Sequence, residues 1–571
     1  MSKKFFIFLG AYLLLLGFVF RNLLANINSH LLDWLDTALV NWLILQNIEK
    51  FKSFNFSNLF NTNAFYPHPD SLFFADTFIP QAILGLPFSF LTNNPILIYN
   101  VVFFITFILN YISAYLFWKQ IFKKDLVAFF GGLLMIFSPF FHLQLSHFQM
   151  MSFWPLFFTL YFIFKYEESH KRKNIVVAGL FLAIQFLASI YLSIYLFFAI
   201  GFYYMYKFIF KDSLTKSHLY NLLILLTIFL FVDGIFIKGY FDMKREYHIQ
   251  RDIKEYINYS AHLSDYIFTT PINSIVHKSF LLEKWNHFDK NFIGGKAAFP
   301  GFLLFFLSLF GLFQLVKSKA EITIKMPLNK QKLYFLTLLL TGFLFSLGPR
   351  VNFNGSYAQI PLPYGFLMKF IPFLEAARVP SRWTFFFYLG LIYFALSFIS
   401  TLQAKKYFKY FISFFLLIFL LEYVPINITT HHEDFINNQY LLLKNTCELK
   451  KQALLEIPVT HLSVYPDIGT GVSYISKVEL STLYHKCNLV NGYSGYDLPE
   501  LFKLQSDIDN LLLTQNTEAL IKELKSYQVD IIKINSSYVV AEQKIPIKLF
   551  EMQLDHSSLV VRIDQGLYKI K

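Results

Sequence analysis

Long apolar runs separated by short polar segments occupy the first 424 residues. A helix that crosses a bilayer needs about 20 consecutive, mostly apolar residues, and the runs are close to that length. The run at 174–210 is too long for one span and is split near Ser189. The pattern predicts about 11 spans: 5–25, 96–117, 126–141, 151–164, two within 174–210, 219–237, 297–316, 333–347, 383–400 and 407–423.

Residues 78–91 are apolar but short, and they contain Pro80, Gly85 and Pro87. We interpret this segment as an interfacial or re-entrant helix, because about 14 residues do not cross a bilayer. Residues 26–95 then form a first outer loop with juxtamembrane helices, and residues 238–296 form a long outer loop further along the chain.

Composition and charge indicate a membrane protein. Of 571 residues, 55% are hydrophobic and 15% are charged, which is more apolar surface than a water-soluble domain needs. The net charge of +13 comes from lysines and arginines in short runs, which place the N-terminus in the cytoplasm by the positive-inside rule. No basic stripe lies on a polar face, so nucleic acid is not a predicted partner. We predict a multi-pass α-helical protein of the inner (cytoplasmic) membrane.

Residues 425–571 follow the last predicted span and have a different composition. Short apolar runs, ALLEIPV, VDIIKI and LVVRI, alternate with polar helical stretches such as 507–525. The pattern predicts an extracytoplasmic soluble α/β domain after a transmembrane domain at 1–424. The only cysteines, Cys447 and Cys487, fall here; they could form a disulfide in an oxidising compartment or remain two unpaired thiols.

Three acids in the first outer loop, Asp33, Asp36 and Asp76, are candidate catalytic residues. Asp33 and Asp36 are three residues apart and would share one face of a helix. One carboxylate could act as general base on an acceptor hydroxyl, and another could orient the acceptor or hold a divalent cation. The structural alternatives are that the pair caps a juxtamembrane helix and that Asp76 is the N-cap of a helix beginning at Phe78.

The short loop between the third and fourth spans carries His142, His147 and Gln149. His147 could bind phosphate, act as acid or base, or lie solvated in the loop. Two histidines five residues apart are not a helical metal pair, and the chain has no HExxH motif. These histidines therefore do not predict a metal centre, and the only cofactor the sequence leaves open is a divalent cation held by the acids of the first outer loop.

The positive-inside rule disfavours arginines on the predicted outer face, so their presence there needs an explanation other than membrane orientation. Arg251, Arg378 and Arg382 are candidate ligands for a lipid phosphate, because guanidinium groups bind phosphate oxygens in pairs. Snorkelling anchors at the membrane surface are the alternative. The chain has no nucleotide-binding motif, so an enzyme working outside would need a donor that arrives in the membrane, such as a polyprenyl-phosphate sugar.

Several segments resemble bacterial multispan glycosyltransferases of the GT-C fold: LDTALVNWLI, NAFYPHPDSLFFADTFIPQAILGLPFSFLTNNPILIYN and SPFFHLQLSHFQMMSFWPL. Later segments, among them YSAHLSDYI, ARVPSRW and NGYSGY, are similar to a subgroup related to YfhO-type and dolichyl-phosphate-mannose-type membrane transferases. The resemblance extends over most of the chain, although each motif taken alone has low specificity.

The resemblance implies a catalytic base in the first outer loop, a place that Asp36 matches best, and a second acid at Asp76. It also implies that Arg378 and Arg382 contact the lipid phosphate, whereas His147 and Gln149 stand where related enzymes often have another acid. The implied reaction is inverting transfer of a sugar from a polyprenyl-phosphate donor to a glycan, lipid or protein acceptor. The alternative is a non-enzymatic transporter or scaffold for lipid-linked glycans, for which Asp233 is the clearest charge within a span.

Overall fold

The computed structural model describes residues 2–209, 216–249, 251–267, 273–279, 298–317, 328–353, 356–403, 406–464, 467–496, 498–514, 516–535, 538 and 541–571. Most of these residues are helical. The helices before residue 210 are α1 (Lys3–Val19), α2 (Arg21–Ala25), α3 (Asp36–Lys52), α4 (Ile79–Gly85), α5 (Pro95–Phe122), α6 (Asp125–Phe137), α7 (Pro139–Leu143), α8 (Phe148–Met151), α9 (Trp154–Ser169), α10 (Arg172–Ala188) and α11 (Ile190–Ile209).

Further helices and two short strands lie between residues 216 and 423: α12 (Lys216–Glu246), α13 (Ile253–Asn258), α14 (Phe302–Lys317), α15 (Leu328–Ser346), β1 (Arg350–Phe353), β2 (Ser356–Pro361), α16 (Pro363–Leu367), α17 (Thr384–Leu402) and α18 (Phe408–Tyr423). The remaining elements are α19 (Asn438–Leu449), β3 (Ala453–Ile457), α20 (Ile468–His485), β4 (Asn488–Leu489), α21 (Pro499–Leu513), α22 (Thr517–Ser526), β5 (Ile531–Ile534), α23 (Ala541–His556), β6 (Val560–Asp564) and β7 (Leu567–Ile570).

A helix lies at each predicted span, and the apolar helices support the prediction of a membrane protein. Five helical segments of the described residues are long and apolar enough to cross a bilayer by length and composition: Pro95–Phe122, Asp125–Leu143, Ile190–Ile209, Lys216–Glu246 and Pro380–Leu402. Phe302–Gln314 is a shorter apolar helix. The number of spans and their orientation stay predictions.

The helix bounds agree with two local predictions, although the interfacial or re-entrant position of residues 78–91 stays a prediction. The long apolar run breaks at Ser189, whose extended backbone (φ −168°, ψ 117°) separates α10 from α11. The segment at 78–91 forms only the seven-residue α4 and a short 3₁₀ turn, Phe88–Phe90. Pro80 lies in the first turn of α4, where its missing N–H costs nothing, and Pro87 follows the helix.

The chain divides into two compact units. The helical unit comprises Met1–Ala25, Phe103–Gly234 and Gln250–Thr429, and the mixed unit comprises Asn26–Val102, Ile235–Ile249 and Thr430–Lys571. In the helical unit, α17 packs closely against α14 and α15. A Cβ atom at Gly311 would collide with the Phe394 carbonyl, and one at Gly342 with the Phe387 amide, so glycine permits both close approaches.

The mixed unit contains a five-stranded sheet in the order β4-β3-β5-β7-β6. Strand β3 is parallel to β4 and β5, whereas β7 is antiparallel to β5 and β6. The runs ALLEIPV, VDIIKI and LVVRI supply β3, β5 and β6, as the sequence predicts. Cys447 and Cys487 form a disulfide with their Cα atoms 5.1 Å apart, which decides between the two alternatives left open for them.

The first outer loop is part of this same unit. Its residues 63–66 run along β4: Phe65 N–H donates to the Asn491 carbonyl (3.1 Å), and Tyr66 N–H donates to the Leu489 carbonyl (2.9 Å). Helix α3 packs against α20. The described structure therefore builds one body from residues 26–102 and the C-terminal residues, while a separate domain at 425–571 stays a prediction.

Candidate functional site

Asp33 caps the start of α3. One of its carboxylate oxygens accepts the N–H groups of Leu35 (2.9 Å) and Thr37 (3.1 Å), two of the donors that a helix N-terminus leaves without intrahelical partners. Because Leu35 has a non-helical backbone (φ −96°, ψ −109°), α3 begins only at Asp36. The two acids therefore do not share a helical face, and the spacing argument was wrong on this point. Both side chains are half-buried.

The segment before α3 is fixed by residues near Thr430. Leu31 and His431 exchange two backbone hydrogen bonds (3.0 and 2.8 Å), and the Trp34 indole N–H donates to the His431 carbonyl (3.1 Å). Tyr99, at the start of α5, interacts electrostatically with both Asp33 and Asp36. The sequence did not single out Tyr99, because only the fold brings it to the acids.

Asp76 lies in a different part of the mixed unit. It is half-buried, and α4 begins at Ile79 with Phe78 in the N-cap position, so the N-cap role suggested for Asp76 is wrong. The neighbouring Thr77 carbonyl accepts from Asn47 of α3 (2.7 Å). Asn47 is eleven residues after Asp36, on the order of 16 Å along the helix axis at 1.5 Å per residue. The Asp76 backbone is thus anchored far along α3 from the other two acids.

Two tyrosines that the sequence did not predict accompany Asp76. The Tyr240 hydroxyl donates to the Ala75 carbonyl (2.7 Å) and interacts electrostatically with Asp76 and Tyr496. Tyr496 belongs to NGYSGY, the loop after β4, which was noted only as part of the family resemblance. Gly492 of that loop lies against the Phe65 ring, where a Cβ atom would clash. The loop therefore packs against Phe65, eleven residues before Asp76 in the chain.

In the helical unit, two of the predicted arginines share one carboxylate. Arg251 donates to Glu255 (2.9 Å), and Arg378 lies 3.5 Å from the same oxygen and 5.5 Å from the Tyr259 ring centroid. The Ser381 N–H donates to the Tyr259 carbonyl (3.1 Å), which ties the region after α13 to the segment before α17. Arg251 and Arg378 thus share the Glu255 carboxylate.

Arg382 is different. It is only 5% exposed and lies in the 3₁₀ turn Pro380–Trp383, with its guanidinium 4.8 Å from the Tyr191 ring centroid. Within the described residues Arg382 forms no ion pair with an acidic side chain, and its guanidinium contacts the Tyr191 ring. A buried cation without an anion is costly, although the aromatic face recovers part of the cost. Arg382 therefore provides up to five N–H donors for an anion that reaches this turn.

The loop predicted to carry His142, His147 and Gln149 forms two short helices, α7 and α8. A ring nitrogen of His142 lies 3.0 Å from the Tyr423 carbonyl, and His147 is the N-cap residue of α8. The Gln149 side-chain oxygen is buried without a hydrogen bond to the described residues. His142 thus has a structural partner. In the described part of the chain, no cluster of three His, Cys, Asp or Glu side chains fits a metal ion.

The nine predicted residues fall into both units. Asp33, Asp36 and Asp76 belong to the mixed unit, and the arginines, histidines and Gln149 belong to the helical unit. Within a unit, the structure brings Asp33 and Asp36 to one helix start, and Arg251 and Arg378 to one carboxylate.

Comparison with known proteins identifies the family. The family described as "Domain of unknown function (DUF6311)" matches residues 8–422, nearly three quarters of the chain. The chain belongs to the DUF6311 family. No curated protein matches it.

Similar solved structures are GT-C-fold glycosyltransferases, so the GT-C-like, mostly helical part of the predicted fold class is confirmed for this DUF6311 chain, whereas the span count and the C-terminal domain stay predictions. Two structures of the arabinofuranosyltransferase AftD from Mycobacteria superpose with TM-scores of 0.56 and 0.54 at 9% and 10% identity. They cover 99% and 92% of this chain, but the chain spans only 39% and 37% of their length. The oligosaccharyltransferase AglB from Archaeoglobus fulgidus gives a TM-score of 0.49 at 10% identity, covering 91% of this chain and 67% of AglB. At these identities the likeness shows the fold alone, and the YfhO-like subgroup stays a prediction.

Proposed function

We propose that this DUF6311 protein is an inverting membrane glycosyltransferase. It moves a sugar from a polyprenyl-phosphate donor to a glycan, lipid or protein acceptor at the outer face of the cytoplasmic membrane. The observation that carries the proposal is the buried Arg382 guanidinium without an acidic partner in the described residues. The GT-C fold and the acids of the first outer loop support it.

In the proposed reaction, Asp36 accepts the proton of an acceptor hydroxyl. The acceptor oxygen forms a bond to the anomeric carbon while the bond from that carbon to the phosphate oxygen breaks. The electron pair leaves on polyprenyl phosphate, whose charge is taken up by Arg382, with Arg378 and Arg251 assisting. Asp33 positions the start of α3, and therefore Asp36, through its two capping hydrogen bonds.

The Cys447–Cys487 disulfide supports the proposed outer location of the C-terminal residues, since disulfides persist in oxidising compartments. The NGYSGY loop beside Asp76 is a surface on which the acceptor could lie, because tyrosine rings and hydroxyls suit sugar faces and edges. A mass-spectrometric comparison of the envelope glycans of cells with and without the gene would identify the sugar and the acceptor.

The deciding experiment measures polyprenyl phosphate binding to the purified full chain by native mass spectrometry. We expect Arg382→Gln to lower the affinity about 10-fold or more, because hydrogen bonds to a charged group contribute about 1.5–3 kcal/mol each. Arg245→Gln is the matched control: it removes an exposed arginine from the end of α12 and should leave binding unchanged. Equal binding by wild type and Arg382→Gln would overturn the proposal.

One observation favours the transporter alternative. Asp233 in α12 is fully buried, and neither of its oxygens is hydrogen-bonded within the described residues. Acids inside a span often mark a transport path. If Asp233→Asn abolished export of a lipid-linked glycan while Asp36→Asn had no effect on the envelope glycans, the transporter would replace the enzyme.

A further inference from the structure

A cavity lies in the helical unit, at helix ends that the charge pattern places on the cytoplasmic side. Its volume is about 470 Å³, and it is bordered by the first turn of α1, the junction of α5 with α6, and the end of α17. The junction consists of only two residues, Lys123 and Lys124, with Lys123 in the left-handed region (φ 56°). The tight turn brings two lysines to the cavity wall.

The cavity carries excess positive charge. Lys4 lines it and has no ion pair within the described residues. Lys124 donates to the Ser400 carbonyl (2.8 Å), which holds the side chain without neutralising it. Among the described residues that line the wall, Asp125 is the one acid; it is already paired with Lys119 (2.6 Å) and accepts the Tyr115 hydroxyl (2.5 Å).

Lys123 is less available, because it pairs with Glu168 (2.5 Å). The end of α17 adds Gln403, whose side-chain oxygen is buried without a hydrogen bond to the described residues and whose amide group can donate. Lys4, Lys124 and Gln403 together offer donors suited to a phosphate group.

The apolar part of the wall distinguishes a lipid from a free anion. Ile7 is 59% exposed, and seven residues later on the same side of α1 Leu14 is 78% exposed. Phe8 stacks on Phe129 with ring centroids 4.7 Å apart, which gives the cavity a firm aromatic border. An acyl chain can therefore lie along α1 while its headgroup remains among the lysines.

We propose that this cavity binds the phosphate headgroup of an anionic phospholipid from the inner leaflet. Basic pockets at the cytoplasmic ends of spanning helices are suited to such headgroups. The site is independent of the proposed transferase chemistry, because none of its residues belongs to the acid or arginine clusters described above.

The test uses the delipidated full chain in detergent and native mass spectrometry. Phosphatidylglycerol is titrated against phosphatidylcholine, and inorganic phosphate is added separately as a competitor. We expect selective binding of phosphatidylglycerol that Lys4→Gln with Lys124→Gln weakens about tenfold or more. The control, Lys171→Gln with Lys173→Gln, removes two exposed lysines at the start of α10 and should change nothing.

The single variant Lys4→Gln should fold normally, since Lys4 is exposed and makes no ion pair within the described residues. We expect this variant to bind phosphatidylglycerol about threefold more weakly, or weaker still. Equal binding by wild type and Lys4→Gln would overturn the proposal. So would equal affinity for phosphatidylcholine, or displacement of the lipid by millimolar inorganic phosphate, which would identify a plain anion site.

Discussion

The indole N–H of Trp42 donates a 3.1 Å hydrogen bond to the hydroxyl of Thr482, 440 residues later in the chain. Trp42 is 1% exposed, and the bond joins α3 to α20 inside the mixed unit. The helix that begins with Asp36 is therefore held by the C-terminal residues. Substitutions in the C-terminal part of the mixed unit should therefore alter the position of Asp36, the proposed catalytic acid, through this contact.

The first prediction concerns the contribution of the Trp42–Thr482 hydrogen bond to stability. Trp42→Phe should lower the free energy of unfolding by about 0.5–1.5 kcal/mol from the lost hydrogen bond, plus the loss of packed atoms. Thr482→Val is the second arm of a double-mutant cycle in chemical denaturation. A coupling energy near zero between the two changes would contradict the contact.

The second prediction separates a cap from a catalytic base. Asp33→Ala should lower stability by about 0.5–2 kcal/mol, because it removes the acceptor for Leu35 and Thr37, whereas Asp33→Asn keeps an acceptor and most of that stability. Asp36→Asn should leave the melting temperature unchanged and reduce sugar transfer at least about 100-fold. Full transfer activity in a folded Asp36→Asn protein would remove Asp36 from the mechanism.

The third prediction concerns Glu255, which would compete for Arg378 with the phosphate of the proposed donor. Glu255→Gln should keep or lower the KM for the lipid-linked donor, since it releases Arg378 and Arg251 from their shared carboxylate. Arg378→Gln should raise that KM severalfold. Steady-state kinetics with both variants decides the question, and a raised KM in Glu255→Gln alone would make Arg378 a structural residue.

The fourth prediction concerns Cys447 and Cys487. Their disulfide spans 40 residues, and replacing both with serine should cost about 2–4 kcal/mol of stability in thermal or chemical unfolding. Both residues are buried, so maleimide should label neither until the protein is reduced and denatured. Labelling of the unreduced, denatured protein would show that the thiols are unpaired.

The fifth prediction is a pH dependence. Burial, assisted by the charges of Lys533 and Lys486, lowers the pKa of His485 from 6.5 to about 3. The unfolded chain therefore binds this proton first, and stability falls as the pH drops from about 6.5 towards 3. Between pH 7 and pH 5 the loss should be about 2 kcal/mol.

His485→Gln keeps an acceptor for the Cys487 N–H and should remove that part of the pH slope. Urea denaturation of wild type and variant at both pH values measures the difference. Equal slopes in the two proteins would show that His485 is not the group that titrates.

The helices could be predicted because each is encoded by its own run of residues. The break at Ser189 and the short α4 follow from run length and from proline, which act locally. The sequence already indicated a special role for Arg382, because the positive-inside rule disfavours an arginine on the predicted outer face. These features need no knowledge of distant residues.

Other features depend on residues far apart in the chain. The pairing of residues 63–66 with β4, the position of Tyr99 near Asp33 and Asp36, and the contact of Tyr240 with Ala75 arise only in the folded unit. The spacing of Asp33 and Asp36 misled because helical spacing applies only inside a helix, and α3 begins at the second acid. Sequence patterns identify elements more readily than partners.

The mixed unit is assembled from three stretches, and about 330 residues separate its first stretch, ending at Val102, from its last, beginning at Thr430. At a synthesis rate of about 5–20 residues per second, the early stretch waits roughly 20–75 s for strand β4. During that interval the edge formed by residues 63–66 and the apolar side of α3 have no native cover. Biogenesis of this protein should therefore depend on a chaperone at the membrane surface, and slowing translation should increase that dependence.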